Sequence, residues 1–293
     1  MNRHGLVVER YRRHVTVEDD AGERWLCGTA SRRLQPIVAD DVVWRPGPDG
    51  TGVVTEVLER RSTLTRIDSR GRCELVATNL TQLVAVAAHA PEPDWLVVDR
   101  YLVAAELAGL SAVVVMNKAD LAAPPAEPLE CYRRAGYPVI VTSVADGRGI
   151  DALAAALRGE RSTLVGQSGV GKSSLLNALL GEEVQSTGEL GKGEHGRHTT
   201  SSAALFRLPG RGEVIDSPGV RAYAPYIEDP ASVQLGFPEF RERIGRCRFD
   251  NCRHLAEPDC AVKDALEAGE ICEQRYESYV RLYELVKTLR SRW

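Results

Sequence analysis

The sequence predicts an α/β chain built from three parts: a small β-barrel, a parallel sheet covered by helices, and a short helical region. Short β-like runs broken by turns fill residues 6–58, and buried apolar runs alternate with helical segments after them. The region that follows is rich in arginine and cysteine. We place the three domains at residues 1–62, 63–224 and 225–293.

Composition and charge argue against several classes of protein. Hydrophobic residues make up 43% of the 293 residues and charged residues 27%, as in ordinary globular proteins. The net charge is -4, which argues against nonspecific coating of nucleic acid, so any such contact must use local patches. The sequence has neither a run of about 18 apolar residues nor a signal-peptide core, so we expect no membrane contact and a cytoplasmic location.

The first domain is predicted to be an OB-like barrel, because several short strands with turn signals between them fall within it. The predicted strands are Leu6–Val8, His14–Val17, Arg24–Cys27, Asp41–Trp44 and Gly52–Leu58, with a turn at Pro46–Gly50. Arginine and acidic residues are balanced there. A small interaction barrel for another ligand would have the same pattern, so the ligand stays open at this point.

The middle domain alternates strands and helices, which predicts a parallel sheet with helices on both faces. The predicted strands are Leu83–Ala87, Ala112–Met116, Val139–Val141 and Ser162–Val165, and the predicted helices are Val98–Leu107 and Ile150–Leu157. Ala122–Pro128 is predicted to be a loop. In the last domain, apolar side chains at helical spacing from Tyr276 to Val286 predict a C-terminal amphipathic helix that packs on its own domain.

One segment fits the phosphate-binding motif GxxxxGK[ST] in full, directly after a predicted strand. Its residues are Gly166, Gln167, Ser168, Gly169, Val170, Gly171, Lys172 and Ser173, and the helix predicted after it begins at Ser174, which we include in the site. The glycines let backbone N–H groups turn toward phosphate oxygens at the positive end of the helix. Lys172 would reach the β- and γ-phosphates, and the Ser173 hydroxyl would bind Mg²⁺.

A second motif predicts the base of the nucleotide. Residues 117–120 follow a predicted strand and fit NKxD. The Asp120 carboxylate can accept hydrogen bonds from guanine N1–H and N2–H₂, a donor pair that adenine lacks. Asn117 would brace the loop, and the Lys118 side chain would cover one face of the base. Ser143 follows the next strand, where its N–H could reach guanine O6, although ordinary turn chemistry at a strand end is a competing explanation.

A third motif, DxxG at residues 216–219, follows the short hydrophobic strand Glu213–Ile215. Asp216 would hold Mg²⁺ through water, and the Gly219 N–H would contact the γ-phosphate. A polar, glycine-rich stretch separates this motif from the phosphate loop. Either Thr199 or Thr200 in that stretch would complete the Mg²⁺ shell, and we carry Thr200 forward as the ligand.

The order of these motifs is permuted relative to a Ras-like GTPase, in which the phosphate loop comes first and NKxD later. Because a fold can be kept when its chain termini are moved to a different loop, we predict a circularly permuted P-loop GTPase domain. Val220 stands where Ras-like enzymes carry the glutamine that orients the attacking water, so another group must do this. His198 beside the threonines is the predicted catalytic residue. The alternative for His198 is an ordinary solvated loop histidine.

Four residues near the C-terminus predict a metal site. Cys247, Cys252, His254 and Cys260 have the spacing C-x₄-C-x-H-x₅-C. Three thiolates and an imidazole form a closed tetrahedral set for one structural Zn²⁺, with no open position for catalysis. The alternative is a region of reduced cysteines without metal. The other cysteines are predicted to be ordinary buried or isolated thiols: Cys27, Cys73, Cys131 and Cys272.

Five arginines surround these ligands: Arg241, Arg243, Arg246, Arg248 and Arg253. A metal-pinned loop that carries arginines can meet RNA phosphates at a low cost in ordering entropy. A solvated charged face, paired with nearby Glu239 and Glu242, explains the same residues equally well. The local sequence does not decide between these interpretations.

The barrel, the permuted G domain and the Cys₃His set, in this order, resemble the ribosome small subunit-dependent GTPase A (RsgA) family over nearly the whole chain. The matching segments are Gly166–Ser173, Asn117–Asp120, Gly196–Thr200, Asp216–Val220 and the four metal ligands. The resemblance implies a GTP hydrolase that acts late in maturation of the small (30S) ribosomal subunit. It implies that the barrel and the zinc domain touch 16S rRNA, that intrinsic hydrolysis is slow, and that subunit-stimulated hydrolysis releases the protein. It also supports His198 as catalytic.

The expected cofactors are one structural Zn²⁺ and Mg²⁺ with GTP, and a monomer suffices. Gly169 occupies the position where potassium-using GTPases carry an asparagine, so potassium dependence is not predicted. Two other functions stay open: a nucleotide-dependent binding module whose hydrolysis is incidental, and an enzyme for a small molecule with the G domain as regulator. The second is weaker, because the sequence shows no paired carboxylates, nucleophile–base pair or open metal site.

Overall fold

The computed structural model describes residues 2–67, 72–181, 203–216 and 226–291. The first of these parts contains a five-stranded barrel, with strands β1 (Arg3–Arg10), β2 (Val15–Glu18), β3 (Arg24–Thr29), β4 (Asp41–Pro46) and β5 (Thr51–Val57). The strands pair in the order β1-β2-β3-β5-β4, and β4 pairs back onto β1 to close the barrel. Its core is built around Trp44, which is fully buried. The predicted barrel is confirmed, including its turn, where Pro48–Gly50 forms a 3₁₀ turn.

A hairpin that the sequence analysis did not predict follows the barrel. Its strands, β6 (Thr63–Ile67) and β7 (Cys73–Thr78), are antiparallel and form a sheet of their own. Leu64 on β6 is buried in the core of the next domain. The hairpin therefore packs as part of that domain, after the point where we place its boundary.

The central sheet contains β8 (Gln82–Ala88), β9 (Ser111–Asn117), β10 (Val139–Val141), β11 (Arg161–Val165), β12 (Ala203–Arg207) and β13 (Glu213–Asp216). Their order is β10-β9-β8-β11-β13-β12, and every neighbouring pair is parallel except β12 with β13. Helices α1 (Trp95–Leu107) and α2 (Ala126–Arg134) contribute to the core on one face, and α3 (Ile150–Ala156) and α4 (Lys172–Leu180) to the core on the other. The predicted α/β layering is confirmed.

Helix α2 corrects one prediction. It begins at Ala126, inside the segment Ala122–Pro128 that was predicted to be a loop. Pro128 lies in the first turn of this helix, where backbone N–H groups have no acceptor within the helix. Because proline lacks that N–H, it is tolerated there and does not break the helix.

The barrel and the central sheet are continuous. β12 pairs antiparallel with β1, with Glu9 opposite Ala204 and Arg10 opposite Ala203. In the described part of the chain, this pairing joins the eleven strands outside the hairpin into one sheet. The strand at the edge of the G domain is thus also covered by the barrel.

The last described part contains 3₁₀ segments at Pro230–Gly236 and Pro238–Phe240, then α5 (Ala261–Glu267) and α6 (Glu273–Ser291). The predicted C-terminal helix is confirmed, and its apolar side chains pack in this domain's own core with Phe237 and Phe240. Among the helices that the structure describes, none is both long and apolar enough to cross a bilayer.

A disulfide corrects a second prediction. Cys131 in α2 and Cys272, just before α6, are bonded to each other, whereas both were expected to be unpaired. The two cysteines are 141 positions apart, so no local pattern signals the pair. Cys27 and Cys73 are free, as predicted.

Candidate nucleotide site and metal centre

The phosphate-binding segment joins the end of β11 to the start of α4, and two of its glycines are required by close approaches. Gly166 has φ +142°, and a Cβ there would lie 2.1 Å from the Val86 carbonyl oxygen. Gly171 has φ +96°, and a Cβ there would lie 2.5 Å from Asn117 Nδ2. Only glycine lets the loop lie against the ends of β8 and β9.

Lys172 directs its ammonium group into the loop. Its Nζ lies 2.8 Å from the Gly166 carbonyl oxygen and 2.7 Å from that of Gln167. Ser173 follows in the first turn of α4, where unpaired N–H groups and the helix dipole favour anions. Asp216 ends β13, the parallel neighbour of β11, so the carboxylate lies at the same edge of the sheet. The remaining predicted loop residues, Ser168, Gly169 and Val170, and Ser174 on α4 belong to the same segment.

Asn117 ties the phosphate loop to the NKxD loop. Its side chain is 2% exposed, Nδ2 donates to the Val170 carbonyl at 2.9 Å, and Oδ1 accepts from Thr142 Oγ1 at 3.0 Å. One amide therefore connects the ends of β9 and β10 with the phosphate loop. We call this set of contacts the Asn117 clamp.

The Lys118 side chain connects the phosphate loop to residue 90. Its Nζ donates to the carbonyl oxygens of Gly169 at 2.6 Å and Ala90 at 2.5 Å. The N–H of Asp94, which caps α1, donates to Gln167 Oε1 at 3.1 Å. Residues 90–94 thus form one wall of the site, a contribution that no motif in the sequence indicated.

Ser143 holds the carboxylate of Asp120. The fully buried Ser143 donates its hydroxyl to Asp120 Oδ1 at 2.7 Å. Its backbone N–H, expected to face guanine O6, donates instead to the Arg148 carbonyl at 2.9 Å. Ser143 therefore lies beside Asp120, where its hydroxyl orients the carboxylate while its N–H closes a turn.

Several predicted residues lie outside the described part of the chain. They are His198, Thr199, Thr200, Gly219 and Val220. The described residues bring together the phosphate loop, the NKxD loop, Ser143 and Asp216 at one edge of the sheet.

The predicted metal ligands converge. The Sγ atoms of Cys247, Cys252 and Cys260 lie 3.5, 3.5 and 3.3 Å from His254 Nδ1, and Cys247 Sγ lies 3.9 Å from Cys260 Sγ. Tetrahedral zinc with bonds of about 2.3 Å to sulfur and 2.0 Å to nitrogen places sulfurs about 3.8 Å apart and sulfur about 3.5 Å from nitrogen. The four side chains therefore fit a Cys₃His zinc site.

The surroundings of His254 agree with this assignment. Its Nε2 lies 2.7 Å from Gln234 Oε1, an acceptor that leaves Nδ1 free to face the sulfurs. Burial lowers the pKa of His254, which favours the neutral, metal-binding imidazole. Burial also raises the pKa of Cys252 to about 12, with Cys260 and Cys247 adding to the effect. Burial disfavours the thiolate form of these cysteines, and a bound cation would offset this by stabilising the negative charge.

Three of the five nearby arginines are ion-paired. Arg241 pairs with Glu106 of α1, Arg243 with Glu270 at 2.5 Å, and Arg248 with Asp259 at 2.9 Å. All three therefore pair with acids, although these acids are not the two named from the sequence. Arg248 also lies over the ring of Phe249, which is 40% exposed.

Known proteins are similar to this chain in sequence and in fold. Residues 57–225 match the family described as RsgA GTPase. A protein of Pseudomonas fluorescens (strain Pf-5), named small ribosomal subunit biogenesis GTPase RsgA, is 44% identical over 285 residues, covering 94% of this chain and 83% of that protein. One of Sodalis glossinidius with the same name is 39% identical over 300 residues, covering 98% of this chain and 87% of that one.

Two solved structures have the same fold. YjeQ from Thermotoga maritima has a TM-score of 0.77 and 35% sequence identity, and the match covers 98% of this chain and 99% of that one. YloQ, described as a circularly permuted GTPase, has a TM-score of 0.74 and 25% identity, covering 98% of this chain and 96% of that one. The permuted fold predicted from the order of the motifs is confirmed.

Proposed function

Since this chain belongs to the RsgA family of GTPases, we propose that it hydrolyses GTP as an assembly factor of the small ribosomal subunit. The relatives are named for biogenesis of that subunit. The observation that supports the activity in this chain is the Asn117 clamp, which joins the phosphate loop and the guanine motif into one site. We further propose that the protein binds 16S rRNA and leaves the subunit when the subunit stimulates hydrolysis.

The phosphates would be bound by the segment Gly166–Ser174, with Lys172 at the β- and γ-phosphates. Ser173 and Thr200, or Thr199 in its place, would be the hydroxyl ligands of Mg²⁺. Asp216 would hold the ion through water, and the Gly219 N–H would contact the γ-phosphate. Mg²⁺ bound with GTP neutralises charge on the β- and γ-phosphates.

Guanine would be recognised by Asp120, whose carboxylate is held in place by the Ser143 hydroxyl. A preset carboxylate costs less to order when the base arrives, so it discriminates more sharply. Because the Ser143 N–H donates to Arg148, we assign the O6 contact to the next N–H along the chain, that of Val144. Lys118 would cover one face of the base.

Water activation is assigned to His198, since the hydrophobic Val220 cannot accept a hydrogen bond. A neutral imidazole would accept a hydrogen bond from the attacking water. This contact would direct a lone pair of the water oxygen toward the γ-phosphorus. The water oxygen forms a bond to that phosphorus as the bond from the phosphorus to the bridging oxygen breaks. GDP leaves with the electron pair, and the proton of the water passes to an oxygen of the released phosphate. We propose that intrinsic hydrolysis is slow and that the small subunit stimulates it.

For docking, we propose that residues 1–62 and 225–293 contact RNA on either side of a G domain at 63–224. One Zn²⁺ held by Cys247, Cys252, His254 and Cys260 would fix the second contact surface. The exposed Arg248–Phe249 pair beside it combines a cation with an aromatic face, which suits phosphates and unstacked bases. We propose a monomer that works in the cytoplasm, where its ribosomal partner is assembled.

GTP hydrolysis should be measured for the purified zinc-loaded protein alone, with isolated small subunits, and with large subunits as the control. We expect small subunits to raise the rate at least severalfold and large subunits to leave it unchanged. His198→Ala should lower the stimulated rate while leaving GTP affinity in place. A rate that no ribosomal particle changes would overturn the ribosomal assignment and leave the GTPase intact.

The guanine assignment has a separate test. Asp120→Asn removes the acceptor pair for N1–H and N2–H₂, so the preference for GTP over ATP should fall by at least about tenfold, or 1.4 kcal/mol. Competition binding with fluorescent GTP measures this preference. Glu127→Gln, an exposed acid on α2, is the matched control and should change nothing. Unchanged selectivity in Asp120→Asn would show that another group reads the base.

A further inference from the structure

Two cysteines that the proposed function does not use meet where the G domain contacts the C-terminal domain. Cys131 lies in α2 and Cys272 directly precedes α6, with their Cα atoms 5.8 Å apart and a disulfide between them. The other five cysteines of the chain are free thiols, and three of those are the metal ligands. This is therefore a single, defined pair that links two domains.

The surroundings distinguish the two sulfurs. Cys272 is partly exposed, stands at the N-terminus of a 19-residue helix, and has Arg134 Nη1 at 3.6 Å from its Sγ. Arg134 is itself held there, because its Nη2 also donates to the carbonyls of Gly269 and Glu270. A fixed guanidinium and a helix N-terminus both favour the thiolate, the form that reacts. Cys131 is only 7% exposed and lies within α2, not at the N-terminus of a helix.

We propose that Cys131 and Cys272 form a reversible redox modification site, in which Cys272 reacts with a low-molecular-weight disulfide of the glutathione class and Cys131 resolves the product. The Cys272 thiolate attacks one sulfur of the oxidant, forms a mixed disulfide and expels one thiolate. The Cys131 thiolate then attacks Cys272 Sγ, closes the protein disulfide and expels the second thiolate. The protein loses two protons and two electrons, and the oxidant becomes two thiols.

Oxidation at this site covalently cross-links the C-terminal domain to the G domain. Gln274 donates to the Tyr132 hydroxyl, and Arg275 pairs with Asp99, so α6 stays docked in the reduced protein too. The disulfide therefore changes how readily the domains separate, not where they lie. The loop that it closes contains the phosphate-binding segment, and a cross-link over so long a loop restricts the unfolded chain strongly.

The test uses the full, zinc-loaded chain equilibrated in glutathione buffers that range from fully reduced to fully oxidised, followed by alkylation, mass spectrometry and a zinc assay. We expect a cross-linked peptide pair containing Cys131 and Cys272 to appear with oxidation and to disappear when reduced glutathione is restored, while zinc content stays constant. The oxidised form should also unfold at a higher temperature. Full alkylation of both cysteines at the oxidised limit would overturn the proposal, as would a cross-link that involves the metal ligands and releases zinc.

Single variants test the two roles. Cys131→Ser should accumulate a glutathione adduct on Cys272, whereas Cys272→Ser should leave Cys131 largely unmodified. Arg134→Gln should slow disulfide formation severalfold, and Cys73→Ser, which removes an exposed thiol elsewhere, should not change the rate. Equal adducts on both single variants, or an unchanged rate in Arg134→Gln, would contradict the assignment of Cys272 as the attacking thiol. None of these readouts involves GTP or ribosomes, so they are independent of the proposed function.

Discussion

The G domain meets its two neighbours in contrasting ways. The barrel is joined by backbone pairing of β1 with β12, by an ion pair at the surface and by packing of Val38 and Ala39 into the core of the G domain. The C-terminal domain is joined by an ion pair that is fully buried and by a disulfide. Surface ion pairs contribute little and are screened by salt, while a buried charge that loses its partner is costly. We call these contacts the barrel junction and the C-terminal junction.

At the barrel junction, Arg207 on β12 donates to Glu18 on β2 through Nη2 at 2.5 Å and Nη1 at 2.9 Å. Arg207 is 48% exposed, so water competes for this pair. The backbone pairing covers only the two residue pairs at the end of β1. Elsewhere at this junction Val38 and Ala39 pack into the core of the G domain, and Thr78 donates to the buried Asp40. The contacts are thus spread over several residues, and no single side chain dominates the junction.

At the C-terminal junction, Arg275 of α6 is 1% exposed and reaches two carboxylates. Its Nη1 lies 2.5 Å from Asp99 Oδ1 on α1, and its Nε lies 2.7 Å from Glu239 Oε1. The guanidinium also lies 4.7 Å from the centre of the Phe237 ring. One side chain therefore bridges three segments, and this junction should respond far more strongly than the other to a single change.

Removal of zinc should have the largest effect. Tyr276 and Tyr279 donate to the carbonyls of His254 and Arg253, so the metal loop supports the face of α6 that packs near Phe237. Structural zinc binds small modules with about 10–16 kcal/mol, so its loss should unfold the loop and loosen the C-terminal junction. Hydrogen exchange should show lost protection in α6 and at residues 230–240, with β1 and β12 unchanged.

Two variants control this experiment. Cys252→Ser should reproduce the effect of chelation, whereas Cys73→Ser should keep zinc and protection intact. If α6 kept full protection in a chain that had lost its zinc, the metal would not support this junction.

The second prediction removes the buried cation. Arg275→Met leaves Asp99 and Glu239 without their shared partner, and breaking such a buried pair typically costs about 3–5 kcal/mol. Denaturant unfolding measures the change. Arg281→Met on the same helix removes an arginine that is 65% exposed, so it should cost less than about 0.5 kcal/mol. Equal effects of the two variants would remove the distinction between the junctions.

The nucleotide motifs and metal ligands were predictable from the sequence because each depends on short spacings. Residues 117–120 and Gly166–Ser173 follow strands that are themselves short apolar runs, and the order of the motifs was enough to predict the permutation. The same locality explains why the metal ligands could be grouped, since all four lie within one short segment.

The junctions could not be predicted in this way, because their partners are distant in sequence. Arg275 meets Asp99 across 176 positions and Cys131 meets Cys272 across 141, and neither pair leaves a local pattern. The start of α2 differs from the prediction for another reason: the segment Ala122–Pro128 contains three prolines and predicts a loop, but the first turn of a helix accepts proline. The role of the Ser143 hydroxyl was also missed, since it depends on where Asp120 lies in space.

The smallest effect is expected at the barrel junction, from Glu18→Gln. The hydrogen bond from Arg207 lowers the pKa of Glu18 below its ordinary value of 4.5, against the opposing effect of burial. Because the folded state then has the lower pKa, its stabilisation is full above pH 4.5 and is lost as the pH falls through the folded value. At neutral pH the variant should cost less than about 1 kcal/mol, and the difference from the parent should shrink in acid and in high salt. Denaturant unfolding at neutral and at acidic pH, each at low and high salt, measures the difference between variant and parent. Glu23→Gln in the exposed β2–β3 turn is the control. A cost above about 2 kcal/mol that neither acid nor salt reduces would mean that the barrel junction, like the C-terminal one, rests on a desolvated charge.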